Sequence, residues 1–471
     1  MKRRLSTAVF SALLAMWLTP AGAEEAVTVA PETLLDAVKQ GKPMTSFRLR
    51  YENVNQESYQ SAAASAKKLE TGEAFTLRSL IGWQTAPFKN FSFAAQLTDV
   101  HDFNHDFNDR RDNVPEPGKS AYPNIVDPAY TDINQLYVDW SGIQGTRLRL
   151  GRQQLNLDNV RFIGDIGFRQ NMQVFDGVSV LNRSISDVDI FAAHFSKVRQ
   201  ITTKLRDGNI DIVNAKYKIS STESLIGYGY LVDIENLGQN GGNPAAIATA
   251  AQGGNGLGGS SDAPASATNI NPAQTDASSK TFGVRLDGAH KLNDDWKGLY
   301  TAEYAKQNDY RGGNPLIDAY YFKLGGGAAY GAWSVRLDHE KLSSNDGKYA
   351  FQTPLGTNHL FQGWADVFLA TPRQGMEDTF ITIAGSIAKA KLYAEFHVFR
   401  SDEKYQSLNG KLGDQYGTEL DLSVSYPFSK ELLGKVEYAR FNESDVYGTT
   451  LQNAARKGDK EIFWVTAMYT F

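Results

Sequence analysis

The sequence predicts an all-β fold, a transmembrane antiparallel β-barrel of about eighteen strands with short periplasmic turns and long extracellular loops. Three observations lead there. Apolar and polar residues alternate at period two through most of the chain, short and long connectors alternate between those segments, and the last residues form an aromatic-tipped strand.

The N-terminus comes first. Lys2, Arg3 and Arg4 precede the apolar run Ala8–Leu18, then Pro20 and the small residues Ala21-Gly22-Ala23. This is the layout of a secretory signal peptide, with cleavage expected after Ala23. The run is too short for the ~20 residues of a spanning helix. Residues 24–44 are expected to form a periplasmic segment, and 45–471 the barrel with its loops.

Without residues 1–23, 45 basic side chains face 53 acidic ones, a balance of −8. That excludes a nucleic-acid partner as the leading reading. Cysteine is absent, so no disulfide holds this exported chain together. Mean hydropathy is −0.39, which a barrel tolerates because only every second strand residue meets lipid.

In the first segment Phe47, Leu49 and Tyr51 share one face, with Arg48, Arg50 and Glu52 on the other. Arginines between apolar neighbours at period two do not suit an amphipathic helix. Phe75, Leu77, Ile81 and Trp83 oppose Thr76, Arg78 and Gln84. Leu136, Val138 and Trp140 oppose Gln135, Tyr137 and Asp139, and Leu148 and Leu150 oppose Arg147 and Arg149. Further on, Arg285, Glu303, Arg336, Glu395 and Glu419 lie opposite apolar runs in the same way. Segments near 379–383 and 462–468 carry apolar residues on both faces.

Short connectors include 141–145, 220–223, 291–295 and 426–430. Long ones are expected near 101–131, 151–172, 234–279, 341–376 and 443–459. A soluble sandwich also alternates. Against it stand long segments, recurrent aromatics near segment ends, and a final strand in which Phe463, Val465, Ala467, Tyr469 and Phe471 share a face. A terminal Phe471 in that pattern resembles the signal read by the outer-membrane assembly machinery.

Two loop regions carry a more specific likeness: Leu150–Gln154 with Asn159–Gly164, Phe168–Asn171 and Phe175–Gly177, and Phe351–Thr357 with His359 and Phe361–Asp366. Both resemble the alginate-export family of Gram-negative outer-membrane porins. The resemblance implies a monomeric eighteen-stranded barrel around a polar, partly electropositive conduit, set in lipid and lipopolysaccharide.

The candidate pore-lining residues are Arg48, Arg50, Arg78, Arg147, Arg149, Arg152, Arg161, Arg169, Arg285 and Arg336, with Asp139, Glu395 and Glu419. Basic rings favour anions in a pore. The alternative is that the arginines pair with carboxylates such as Glu52, Asp139, Glu395, Glu419 and Glu437 and only brace the wall. Arg152, Arg161 and Arg169 lie in the 151–172 connector, which either folds inward to constrict the pore or stays solvated outside. His101–Asp109 offers oxygen ligands for Ca²⁺ but lacks EF-hand spacing, so a solvated loop is the leading reading. Residues 234–279 read as a flexible loop.

The seven histidines are scattered, and neither G-x-S-x-G nor H-E-x-x-H occurs. No catalytic residue, metal ligand or cofactor is therefore expected. The function expected is passive diffusion of small hydrophilic, preferentially anionic solutes, such as organic acids or short acidic saccharides. The alternative is export of an acidic polysaccharide such as alginate.

Overall fold

The structure, a computed structural model, describes residues 30–57, 68–113, 116–234, 276–406, 411–446 and 458–471. The expected signal peptide and most of the 234–279 loop lie outside the described residues.

Eighteen barrel strands run through the described residues. They are β1 (Ser46–Gln56), β2 (Gly72–Gln84), β3 (Phe91–Asp106), β4 (Tyr130–Trp140), β5 (Thr146–Gln153) and β6 (Val174–Asn182). Then come β7 (Val188–Arg199), β8 (Leu205–Lys218), β9 (Glu223–Asp233), β10 (Ser279–Lys291), β11 (Trp296–Asp309) and β12 (Asp318–Tyr330). The last six are β13 (Trp333–Leu342), β14 (Met376–Ile387), β15 (Ala390–Gln406), β16 (Leu412–Pro427), β17 (Leu432–Glu443) and β18 (Lys460–Thr470). Each pairs antiparallel with its sequence neighbour, and β18 returns to β1 with Ser46 opposite Thr470 and Arg50 opposite Thr466. Closure satisfies the backbone groups that hydrocarbon would otherwise leave unpaired.

Alternation sets the two faces. Leu49, Phe75, Ile81, Leu324 (63% exposed) and Leu337 (60%) point outward, while Arg48, Arg50, Glu52 and Arg78 point inward and are buried. At the short-turn end the outer wall carries aromatic clusters: Trp296 against Tyr330 at 4.9 Å, Tyr426 against Phe428 at 5.1 Å, and Tyr469 against Phe471 at 5.0 Å. An apolar belt edged by aromatics is the surface a lipid bilayer requires.

Of the expected long connectors, those near 101–131, 151–172 and 341–376 fall among the described residues at 107–129, 154–173 and 343–375, and most of 443–459, like 234–279, lies outside them. His101–Asp106 extends β3, because the outward Phe75 and Phe103 pack at 5.2 Å and carry the ladder beyond the expected loop boundary. Before the barrel, α1 (Leu34–Lys39) starts at a Thr33 capping box. It is held to the wall by a hydrogen bond from Trp83 Nε1 to Val38 O (2.8 Å) and by pairing of Lys42–Pro43 with β2.

Candidate functional site

Two of the long connectors fold into the barrel. Residues 154–173 (loop A) and 343–375 (loop B) lie largely buried. They bring apolar side chains that cover apolar residues on the inner wall. Phe168 meets Trp464 edge-on at 5.7 Å, and Phe368 packs on Phe399 at 5.1 Å, Tyr416 at 5.4 Å and Phe441 at 5.5 Å. This is the core of the molecule, and it lies inside the barrel.

The loops also hold each other. Gly164 N donates to Leu355 O (2.9 Å), and Thr357 N to Val160 O (2.9 Å). Phe168 stacks on His359 with ring centroids 3.4 Å apart. Arg161 pairs with Glu340 of β13 at 2.7 Å and donates to Thr353 and Gln362 of loop B at 3.3 and 3.1 Å. Arg169 pairs with Glu52 of β1 at 3.1 Å and with Asp366 of loop B at 2.7 Å. Burial would lower the Arg169 affinity for its proton, but Glu52, Asp366 and Asp127 outweigh it and push it up. Burial would raise Asp366; His359, Arg169 and Lys460 hold it well below the usual carboxylate range.

Loop A docks on a basic wall. Arg48 donates to Gln170 Oε1 (2.9 Å), to Gly167 O (2.7 Å) and to Arg169 O. Arg50 donates to Phe168 O (2.6 Å) and lies over the Phe168 ring at 4.4 Å. Arg48 and Arg78 are direct ladder partners on the inward face of β1 and β2. Like charges opposite one another destabilise a sheet unless something compensates them. Arg78 is 3% exposed, yet its Nε and Nη1 hydrogen-bond to no protein group, nor does Nη2 of Arg50. Among the described residues, neither Arg50 nor Arg78 has a carboxylate within 4.0 Å.

The remaining expected arginines behave differently. Arg149 grips Asp139 with two hydrogen bonds, 2.6 and 2.8 Å. Arg285 pairs with Glu303 (3.0 Å), and Arg336 with Asp338 (2.9 Å). These brace the wall. Arg147 is half-buried on the inward face, two residues from Arg149. Arg152 is a correction. It belongs to β5, not to a loop, and shares its face with Leu150 (62% exposed) and its ladder partner Leu136, so it points outward, where it grips Asp176 at 2.7 Å. Period two dictates this: a residue two from an outward leucine is also outward.

Glu395 and Glu419 face inward on an acidic wall. Thr382 donates to Glu395, and Ala365 N of loop B donates to Glu419 at 2.5 Å. Loop B thus docks on carboxylates as loop A docks on guanidiniums. The walls are adjacent around the barrel, β14–β17 leading through β18 to β1–β2. Glu340, Asp366, Gln170 and Trp364 were not expected as site residues. Apolar residues on both faces of β14 and β18 were the signal that something covers the inner wall there.

The alginate-export family matches residues 46–206. This alginate-export match, a third of the chain, takes in the basic wall and loop A; loop B and the acidic wall lie beyond it. No curated protein matches the sequence. Solved outer-membrane barrels share the fold at low identity. OccK9 (OpdG) of Pseudomonas aeruginosa is 11% identical with a TM-score of 0.63, over 92% of this chain and 98% of that one. OccAB4 of Acinetobacter baumannii is 12% identical with a TM-score of 0.60, over 91% and 98%. OpdK of Pseudomonas aeruginosa, solved with vanillate, is 11% identical with a TM-score of 0.59, over 92% and 98%. The chain therefore has the fold of the outer-membrane barrels it resembles, and its N-terminal third is similar to the alginate-export family.

Proposed function

We propose that the barrel is a monomeric, non-enzymatic channel of the outer membrane for passive diffusion of small hydrophilic solutes, preferentially anionic ones such as organic acids or short acidic saccharides. One observation carries this reading: Arg78 sits opposite Arg48 with two guanidinium nitrogens that bond to no protein group. A buried guanidinium with unbonded nitrogens is costly, and a passing carboxylate relieves that cost with bidentate, charge-assisted hydrogen bonds. The vanillate held by OpdK, a barrel of the same fold, is a carboxylate of this class.

Loops A and B act as the constriction, because inside the barrel they meet each other and both charged walls. The outer wall contacts lipid and lipopolysaccharide.

The family name favours a second reading, export of an acidic polysaccharide such as alginate. A polymer needs a succession of open cationic positions, whereas Arg149, Arg161, Arg169, Arg285 and Arg336 are paired with carboxylates. That favours small solutes. Reversal potentials across a bilayer with a salt gradient test the anion preference; a cation-selective potential would overturn it. Blocking by monomeric carboxylates but not by alginate oligomers separates the two readings.

A further inference from the structure

The acidic wall contains a cluster that the arginines do not explain. Glu395 and His397 share the inward face of β15, with Asp421 directly opposite Glu395 and Glu419 opposite His397 on β16. All four are buried. Asp378 of β14 accepts a hydrogen bond from His397 Nδ1 at 2.8 Å, and in the neutral ring that bond leaves Nε2 with its lone pair. Nε2 lies 3.3 Å from Glu395 Oε2 and 3.6 Å from Asp421 Oδ2, and hydrogen-bonds to neither. Asp421 Oδ1 and Glu419 Oε2 are also buried without a hydrogen-bond partner.

Those separations have a meaning. Four ligands about 2.0–2.1 Å from a metal at tetrahedral angles stand about 3.3 Å apart. Donor atoms of Glu395, His397 and Asp421 all lie within 4.8 Å of one another. An imidazole held by a carboxylate through its other nitrogen is the usual arrangement of a metal-binding histidine. We propose that His397 Nε2, Glu395 and Asp421 bind one first-row divalent metal ion, with Asp378 orienting the imidazole. One imidazole with two carboxylates suits Zn²⁺ or Co²⁺ better than Ca²⁺, which takes six to eight oxygens.

The site is independent of the anion reading. Its consequence concerns loop B, since Trp364 N donates to Asp421 Oδ2 at 3.2 Å and Ala365 N to Glu419. A metal ion there would fix the carboxylates on which loop B rests. The other His-carboxylate group, His105 with Asp109 and Glu116, lacks this property, because both ring nitrogens of His105 already bond Asp102 and Glu116.

The test uses the full barrel in detergent, dialysed against chelator and checked for folding by heat-modifiable gel migration. Co²⁺ is titrated with visible absorption as the readout, and Zn²⁺ by calorimetry. One equivalent should bind with the intense bands of four-coordinate Co²⁺. His397→Gln should abolish it, Asp378→Asn should weaken it about 10–100-fold, and His105→Gln should leave it intact. Should His397→Gln not fold, Glu395→Gln takes its place. Folded wild-type barrel taking up no stoichiometric Co²⁺ overturns the proposal, as does unchanged binding in the folded variant at His397 or Glu395.

Discussion

Arg169 of loop A donates to Asp366 of loop B at 2.7 Å while the same guanidinium grips Glu52 of the barrel wall at 3.1 Å. One buried cation thus ties two inward loops to β1. Replacing it takes the guanidinium from two buried carboxylates, and breaking such a pair costs about 3–5 kcal/mol. Arg169→Met should lower the melting temperature and raise single-channel conductance as the loops part. Unchanged conductance in a folded variant would remove loops A and B from their role as the constriction.

Acid should act on the same contact, with a definite sign. Asp366 is held below the ordinary carboxylate range, so its contribution to stability is fully present above an unfolded value of about 3.9 and is lost as pH falls through its folded value. The melting temperature should therefore hold from neutrality to about pH 4 and decline below. Asp366→Asn should start lower and show less of that decline. Parallel acid profiles for the two proteins would contradict the assignment.

Charge selectivity should follow pairing, not arginine count. Arg78→Gln removes a guanidinium with nitrogens that no protein group satisfies, and should shift the reversal potential toward cations. Arg336→Gln removes one that Asp338 already neutralises, and should change selectivity less while costing stability. Equal shifts from both substitutions would mean that the anion preference resides in the net charge of the lumen and not at the Arg48–Arg78 pair.

The barrel was legible because its signal is local. Period-two runs such as Phe47–Glu52 assign each side chain a face without any knowledge of the partner strand, and connector lengths assign the ends. That arginines pair with carboxylates such as Asp139 and Glu52 was legible, but which arginine reaches which distant partner was not. Arg48 reaches Gly167, and Arg161 reaches Glu340, across more than a hundred residues, a separation that alternation does not report. Arg152 went astray for a different reason: its strand runs on past Gly151, so its face is set by Leu150. Trp464, Phe399 and Phe441 point into what alternation alone would make a wet lumen. They are dry because loops A and B bring Phe168 and Phe368 to them.

The outer face makes its own prediction. Leu337 stands near the middle of β13, outward and exposed. An arginine there would meet hydrocarbon, at a cost of about 2–4 kcal/mol near the bilayer midplane. Leu337→Arg should lower unfolding free energy in lipid vesicles by that amount. A neutral result would place that surface in water and undo the membrane orientation of the barrel.

Gly363 tests whether loop B is seated on the acidic wall. Its φ is +81°, and a Cβ added there would lie 2.4 Å from the Glu419 carboxylate. Gly331, in the turn between β12 and β13, also has a positive φ (+56°), but an added Cβ there meets nothing within 4 Å. Gly331→Ala should therefore cost only the left-handed strain, about 1–2 kcal/mol. Gly363→Ala adds a collision with the group that accepts from Ala365 N, so it should cost more and should also make loop B susceptible to limited proteolysis. If the two variants lose equal stability and loop B stays protected in both, the close approach of Gly363 to Glu419 does not hold that loop in place.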